Sequence, residues 1–147
     1  MKTTKSFTTT FVVDQSPKAV FDAVNDVRAW WSPQIEGKTD ALGAEFTYTY
    51  RTLHKTRQKI TEHVPQKKVV WRVVESHIDF VKDKGEWNGT DIVFEIEPKG
   101  AKTELRFTHV GLSPEVECYD ACRKGWTFYV QESLKKLIET GKGTPNS

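Results

Sequence analysis

The stretch Thr103-Glu104-Leu105-Arg106-Phe107-Thr108-His109-Val110 decides how this chain folds. It runs through Gly111-Leu112-Ser113-Pro114 into Cys118-Tyr119-Asp120-Ala121-Cys122-Arg123-Lys124-Gly125-Trp126. The first part alternates. Leu105, Phe107 and His109 fall on one side of a strand, because successive side chains of extended backbone point to opposite faces. After Gly111 and Pro114 the period becomes helical, and Tyr119, Cys122, Trp126, Val130, Ser133, Leu134 and Leu137 share one face. A long amphipathic helix over residues 113–140 is predicted, rich in aromatics and laid across a sheet. A small domain of that kind is often built around a cavity, so ligand binding is the first functional expectation.

Working outward, residues 7–14 read as a first strand with Phe7, Phe11 and Val13 on one face. Ser16 suits a helix N-cap and Pro17 the first helical position, where its missing N–H costs nothing. Val20, Phe21 and Val24 give a short helix its apolar face; Asn25-Asp26 interrupts it. A second short helix over residues 27–31 stops at Ser32-Pro33. Residues 35–44 are loop-like. Phe46, Tyr48 and Tyr50 then alternate with polar neighbours. Residues 55–64 alternate weakly, with Ile60 and Val64 the apolar members, and Pro65-Gln66 turns the chain. Val69, Trp71 and Val73 share a face, as do Ile92, Phe94 and Ile96. Phe80 and Val81 suggest an edge strand, residues 82–90 a polar loop around Trp87, Pro98-Lys99-Gly100-Ala101 a hairpin turn, and residues 141–147 a frayed tail. Short turns imply an antiparallel sheet. Only the C-terminal helix is long enough to cover its concave face, which makes the fold class α+β in two layers.

A length of 147 residues fits one domain. The net charge of +2 is too small and too evenly spread for a nucleic-acid partner. Lys55, Arg57 and Lys59, like Lys67-Lys68, read as the solvated side of strands. The two cysteines, Cys118 and Cys122, lie four apart on a helix, a poor geometry for a disulfide. That suits a reducing compartment. No signal-like or membrane-spanning apolar run is present, so a cytoplasmic protein is expected. His54, His63, His77 and His109 are scattered without ligand spacing, and neither metal nor cofactor is expected. Phosphate loops, nucleophile elbows and paired carboxylates are absent, so no residue is assigned a catalytic role.

The order of strand, two short helices, about six or seven antiparallel strands and one long helix resembles the helix-grip fold of the START-like (SRPBCC) superfamily, which includes the birch pollen allergen. Within it the chain is similar to the group named after the activator of the heat-shock protein 90 ATPase. The residues that carry this are Ser16-Pro17-Lys18-Ala19-Val20-Phe21-Asp22-Ala23, Trp30-Trp31, Phe94-Glu95-Ile96, His109-Val110-Gly111-Leu112, Gly125-Trp126 and Ser133-Leu134. The resemblance implies one helix-grip domain over the whole chain, with a cavity between a curved sheet and the long helix. The eukaryotic co-chaperone of that group has an additional N-terminal domain that bears much of the ATPase stimulation. This chain opens directly on the first strand, so weak or absent stimulation is expected.

The cavity candidates are Trp31, Tyr48, Tyr50, Trp71, Trp87, Phe94, Phe107, His109, Tyr119, Cys122, Arg123 and Trp126. His109 should point beneath the helix, where it can bind a ligand or be satisfied as a core-edge histidine. Arg123 falls inside the apolar arc; it suits an anionic ligand head, or it snorkels or pairs with an acid such as Glu62 or Glu86. Trp30-Trp31 reads first as purely structural packing, and alternatively as one ring in the core with the other gating the opening. Trp126 should face the concave side, with Gly125 allowing a close backbone approach. The leading expectation is a binding protein for a small hydrophobic or amphipathic molecule with an acidic or phenolic head. The alternatives are a co-chaperone-like module that uses a surface patch around the outward Phe128, and a small enzyme that uses His109 and a Tyr.

Overall fold

Residues 6–32, 35–50, 54–78, 89–110 and 119–144 are described by the computed structural model. β1 (Ser6–Val13) enters α1 (Pro17–Asn25) through Ser16, whose Oγ accepts the Ala19 N–H at 3.2 Å, with Pro17 in the first turn. α1 buries Val20, Phe21, Ala23 and Val24, and α2 (Val27–Trp30) follows. The strands β2 (Ile35–Gly37), β3 (Glu45–Tyr50), β4 (His54–Val64), β5 (Lys68–Ile78), β6 (Asp91–Lys99) and β7 (Lys102–Val110) complete a seven-stranded sheet. Its order is β1-β7-β6-β5-β4-β3-β2, antiparallel throughout. The last layer is one helical rod: α3 (Tyr119–Thr127), a π-helical segment (Phe128–Leu134) and α4 (Lys135–Thr140). This is the helix-grip arrangement that the sequence pattern predicts.

Local pattern misjudges four places. Residues 35–37 are a strand and not loop, because β2 pairs with β3 from Ile35 opposite Tyr48 to Gly37 opposite Phe46. Arg28 of α2 secures it, donating to the carbonyls of Ile35 at 2.9 Å and Gly37 at 2.6 Å. A Cβ on Gly37 (φ +106°) would run into the Glu45 carbonyl, so glycine is required there. Val64 is exposed, because the extra residue Thr61 between Ile60 (opposite Trp71) and Glu62 (opposite Val70) changes which face of β4 points inward. The expectation of a frayed tail gives way over residues 141–144, where Gly143 lies against Ala29 and Ser133 and the Thr144 N–H donates to Ser133 Oγ at 2.8 Å. Gly125 is not the site of a close approach, since a Cβ there would meet open space. The suggested strand at Phe80-Val81 lies outside the described residues.

The rod buries Trp126, Val130, Ser133, Leu134 and Ile138. At the last turn this face falls on Ile138, with Leu137 half-buried, one residue beyond the helical-wheel expectation. The π segment explains the shift: its i→i+5 bonding puts more residues into each turn, so side chains four apart stay aligned. The rod also closes one sheet edge. Gln131 Nε2 donates to Thr9 Oγ1 at 2.6 Å and to the Thr10 carbonyl at 2.8 Å, covering β1 against pairing with another chain. No helix among the described residues is long and apolar enough to cross a membrane.

Candidate functional site

The layer between sheet and rod has two parts of different character. One is aromatic and closely packed. Trp31 stacks on Tyr48 with ring centroids 4.2 Å apart and on Trp71 at 5.8 Å, and meets Trp126 at 4.9 Å. Trp71 meets Phe46 and Phe94, and Phe107 lies between Phe94 and Trp126 at 5.3 and 4.7 Å. Each of these rings is buried. Trp31 and Trp30 are both interior, and Trp30 Nε1 donates to the Val24 carbonyl at 3.2 Å. Neither indole is a gate at the surface: the rings stack on one another and on Trp71, which draws both inward.

The other part is polar without being charged. On β4, Thr56, Gln58 and Ile60 point in while Lys55, Arg57 and Lys59 point out. Thr56 stands opposite Tyr48 on β3 and Ser76 on β5; all three are buried. Gln58 Nε2 donates to Thr56 Oγ1. Its Oε1 has no hydrogen-bond partner among the described residues, and neither has Trp71 Nε1, although both side chains are 0% exposed. Most buried polar groups in folded proteins are paired, so two unpaired atoms in one layer need a cause. The sequence carried one signal for Thr56 and Gln58, the alternation of charged with uncharged residues along β4. A search for apolar alternation passes over it.

His109 is fully buried between β6, β7 and the rod. Trp126 Nε1–H donates to its Nδ1 at 3.1 Å, and its Nε2 is 2.8 Å from Thr90 Oγ1. An indole N–H can only donate, so Nδ1 is the acceptor and neutral His109 carries its proton on Nε2, toward Thr90. Trp126 faces the concave side as expected, but it packs in the core and orients His109 there. Arg123 is half-buried on α3. Tyr50, Tyr119 and Cys122 lie in described elements, but their side chains, like the whole of Trp87, fall outside the described residues. Trp31, Tyr48, Trp71, Phe94, Phe107, His109 and Trp126 are therefore brought together in one buried layer. Among the described residues no cluster of three or more His, Cys, Asp or Glu could hold a metal ion.

An open cleft of about 480 Å³ lies elsewhere, lined by Thr47, Lys55, Arg57, Glu75 and Ser76. Four of these residues belong to the convex face, where Arg57 also pairs with Glu45 at 3.6 Å. Its walls are charged and solvated, and it lacks the apolar lining of a small-molecule site.

A curved antiparallel sheet that grips a C-terminal helical rod, with two short helices after the first strand, defines a helix-grip protein of the START-like class. The chain belongs to the family described as activator of Hsp90 ATPase homolog 1-like protein, whose model matches residues 14–139. Solved structures share the fold. The Aha1 dimer from Colwellia psychrerythraea is similar at 23% identity and a TM-score of 0.75, covering 95% of this chain and 99% of that one. Protein MLL2253 from Mesorhizobium loti is 15% identical with a TM-score of 0.74, over 92% and 97% of the two chains. Protein SSP2350 from Staphylococcus saprophyticus is 17% identical with a TM-score of 0.70, over 97% and 98%. A search of curated protein sequences gave no match.

Proposed function

We propose that the protein binds a small hydrophobic or amphipathic molecule between the sheet and the C-terminal rod, acting as a binding protein in the cytoplasm. The observation that carries this is the change of character within the buried layer. Close-packed rings give way to the uncharged polar side chains Tyr48, Thr56, Gln58 and Ser76. An apolar wall with a few oriented polar groups is the usual composition of a small-molecule site. Family membership supports the same reading through the fold. Native mass spectrometry of protein purified from its own host should show a bound mass that is lost on denaturation. Only the bare chain mass, in protein that also fails to bind any apolar probe, would sink the idea.

A second reading, a protein-interaction module related to co-chaperones, is favoured by Phe128. It is 43% exposed on the rod, edge-on to Tyr129 at 5.4 Å. An ATPase assay with the heat-shock protein 90 of the same organism separates the two. Several-fold stimulation that is abolished by Phe128→Ala would establish the interaction module.

A further inference from the structure

We propose that this binding layer, taking the small-molecule reading above as its basis, holds a docking point for a neutral head group that both donates and accepts hydrogen bonds. Gln58 Oε1 is the acceptor and Trp71 Nε1–H the donor. Both atoms are unpartnered among the described residues, and both belong to fully buried side chains of adjacent strands. They are complementary: one lacks a proton donor, the other an acceptor. A buried polar atom left unpaired is destabilising, because it has given up its hydrogen bonds to water without replacement. A ligand group that serves both atoms removes that cost twice.

The chemistry of the surroundings selects the group. The inward positions of β3, β4 and β5 here are Phe46, Tyr48, Thr56, Gln58, Ile60, Trp71, Val73 and Ser76, and none is charged. The cations Lys55, Arg57 and Lys59 alternate onto the opposite face. A carboxylate would bring its charge against the Gln58 oxygen, and among the described side chains of these strands no buried cation balances it. His109 does not change this, because its Nδ1 is taken by Trp126 and its Nε2–H is directed to Thr90. A carboxamide or a hydroxyl carries donor and acceptor together without charge. The head group is therefore an amide, alcohol or phenol; of the acidic and phenolic heads expected from His109 and Arg123, these strands favour the phenolic one.

The test uses three probes of one shape: 1-naphthamide, 1-naphthoate and 1-methylnaphthalene. Each is titrated into labelled full-length protein while the indole N–H resonance of Trp71 is followed. The amide should bind about tenfold more tightly than the hydrocarbon, the ratio expected for one to two good buried hydrogen bonds. It should move the Trp71 indole resonance downfield. Gln58→Met should abolish the advantage of the amide, so that 1-naphthamide and 1-methylnaphthalene bind the variant equally. Equal affinities with an unmoved Trp71 resonance, the result expected if a resident water only serves these atoms, would overturn the docking point while leaving apolar binding intact. Tighter binding of the naphthoate would overturn the neutral head group. Binding of none of the three would overturn the docking point and the small-molecule reading together.

Discussion

At His109 the ring orientation follows from one neighbour. The Trp126 N–H has no lone pair to offer, so Nδ1 must accept and Nε2 must hold the proton. Long-range ¹H–¹⁵N spectra of the histidine rings at neutral pH should therefore show the Nε2–H tautomer for His109; the opposite tautomer would contradict the hydrogen-bond pattern. Trp126 contributes packing and a donor, and two substitutions separate them. Trp126→Phe keeps most of the ring and leaves Nδ1 without its donor, and should cost about 1–3 kcal/mol. Trp126→Ala also removes the ring that touches Trp31 and Phe107, and should cost about 3–5 kcal/mol. Urea unfolding of both variants checks the order. Equal losses would mean that ring packing adds nothing beyond the hydrogen bond, and an unchanged Trp126→Phe would mean that the hydrogen bond contributes nothing.

Among the elements, the rod is tied to the short helices through Ser133. Its Oγ donates to the Trp30 carbonyl at 2.6 Å and accepts the Thr144 N–H at 2.8 Å, with Gly143 packed alongside. Ser133→Ala should leave both backbone groups unpaired and destabilise by about 1–3 kcal/mol. In a domain of this size that lowers the melting temperature by several degrees. Amide exchange at Thr144 should quicken in the same variant; an unchanged rate would show that the tail is held by something else. At the sheet edge, Gln131 covers β1, a strand whose open backbone would otherwise template pairing. Gln131→Ala is expected to raise self-association, read by sedimentation at rising protein concentration. A strictly concentration-independent sedimentation coefficient would argue against an edge-protecting role.

For the whole molecule, stability rests on the layer between sheet and rod, a core continuous from Phe11 and Val20 to Trp126 and Ile138. No metal enters that account. Chelator treatment should leave the unfolding midpoint where it was, and a clear downward shift would reveal a site that the histidine and cysteine spacing does not show. A ligand of the buried layer, by contrast, should raise the midpoint with its concentration, by mass action on the native state.

Local periodicity determined much of this protein. The Ser16-Pro17 helix start, the alternation at Phe46-Tyr48, Trp71-Val73, Phe94-Ile96 and Leu105-Phe107, and the inward Trp126 are all visible in the sequence, because each obeys a period of 2 or 3.6 set by backbone geometry. The seven-stranded order adds only the pairing of β1 with β7 and the short β2 edge, which depends on Arg28 reaching across from α2. The tertiary structure alone decided the rest. Whether an aromatic fills the core or lines a pocket depends on ring-to-ring distance, and composition says nothing of that. The bulges in β4 and β5 and the π turns of the rod insert residues out of period, so they move the inward face by one without any mark in the hydropathy. Gln58 and Trp71 matter because their polar atoms are buried without partners, and a sequence cannot show a hydrogen bond that is not made.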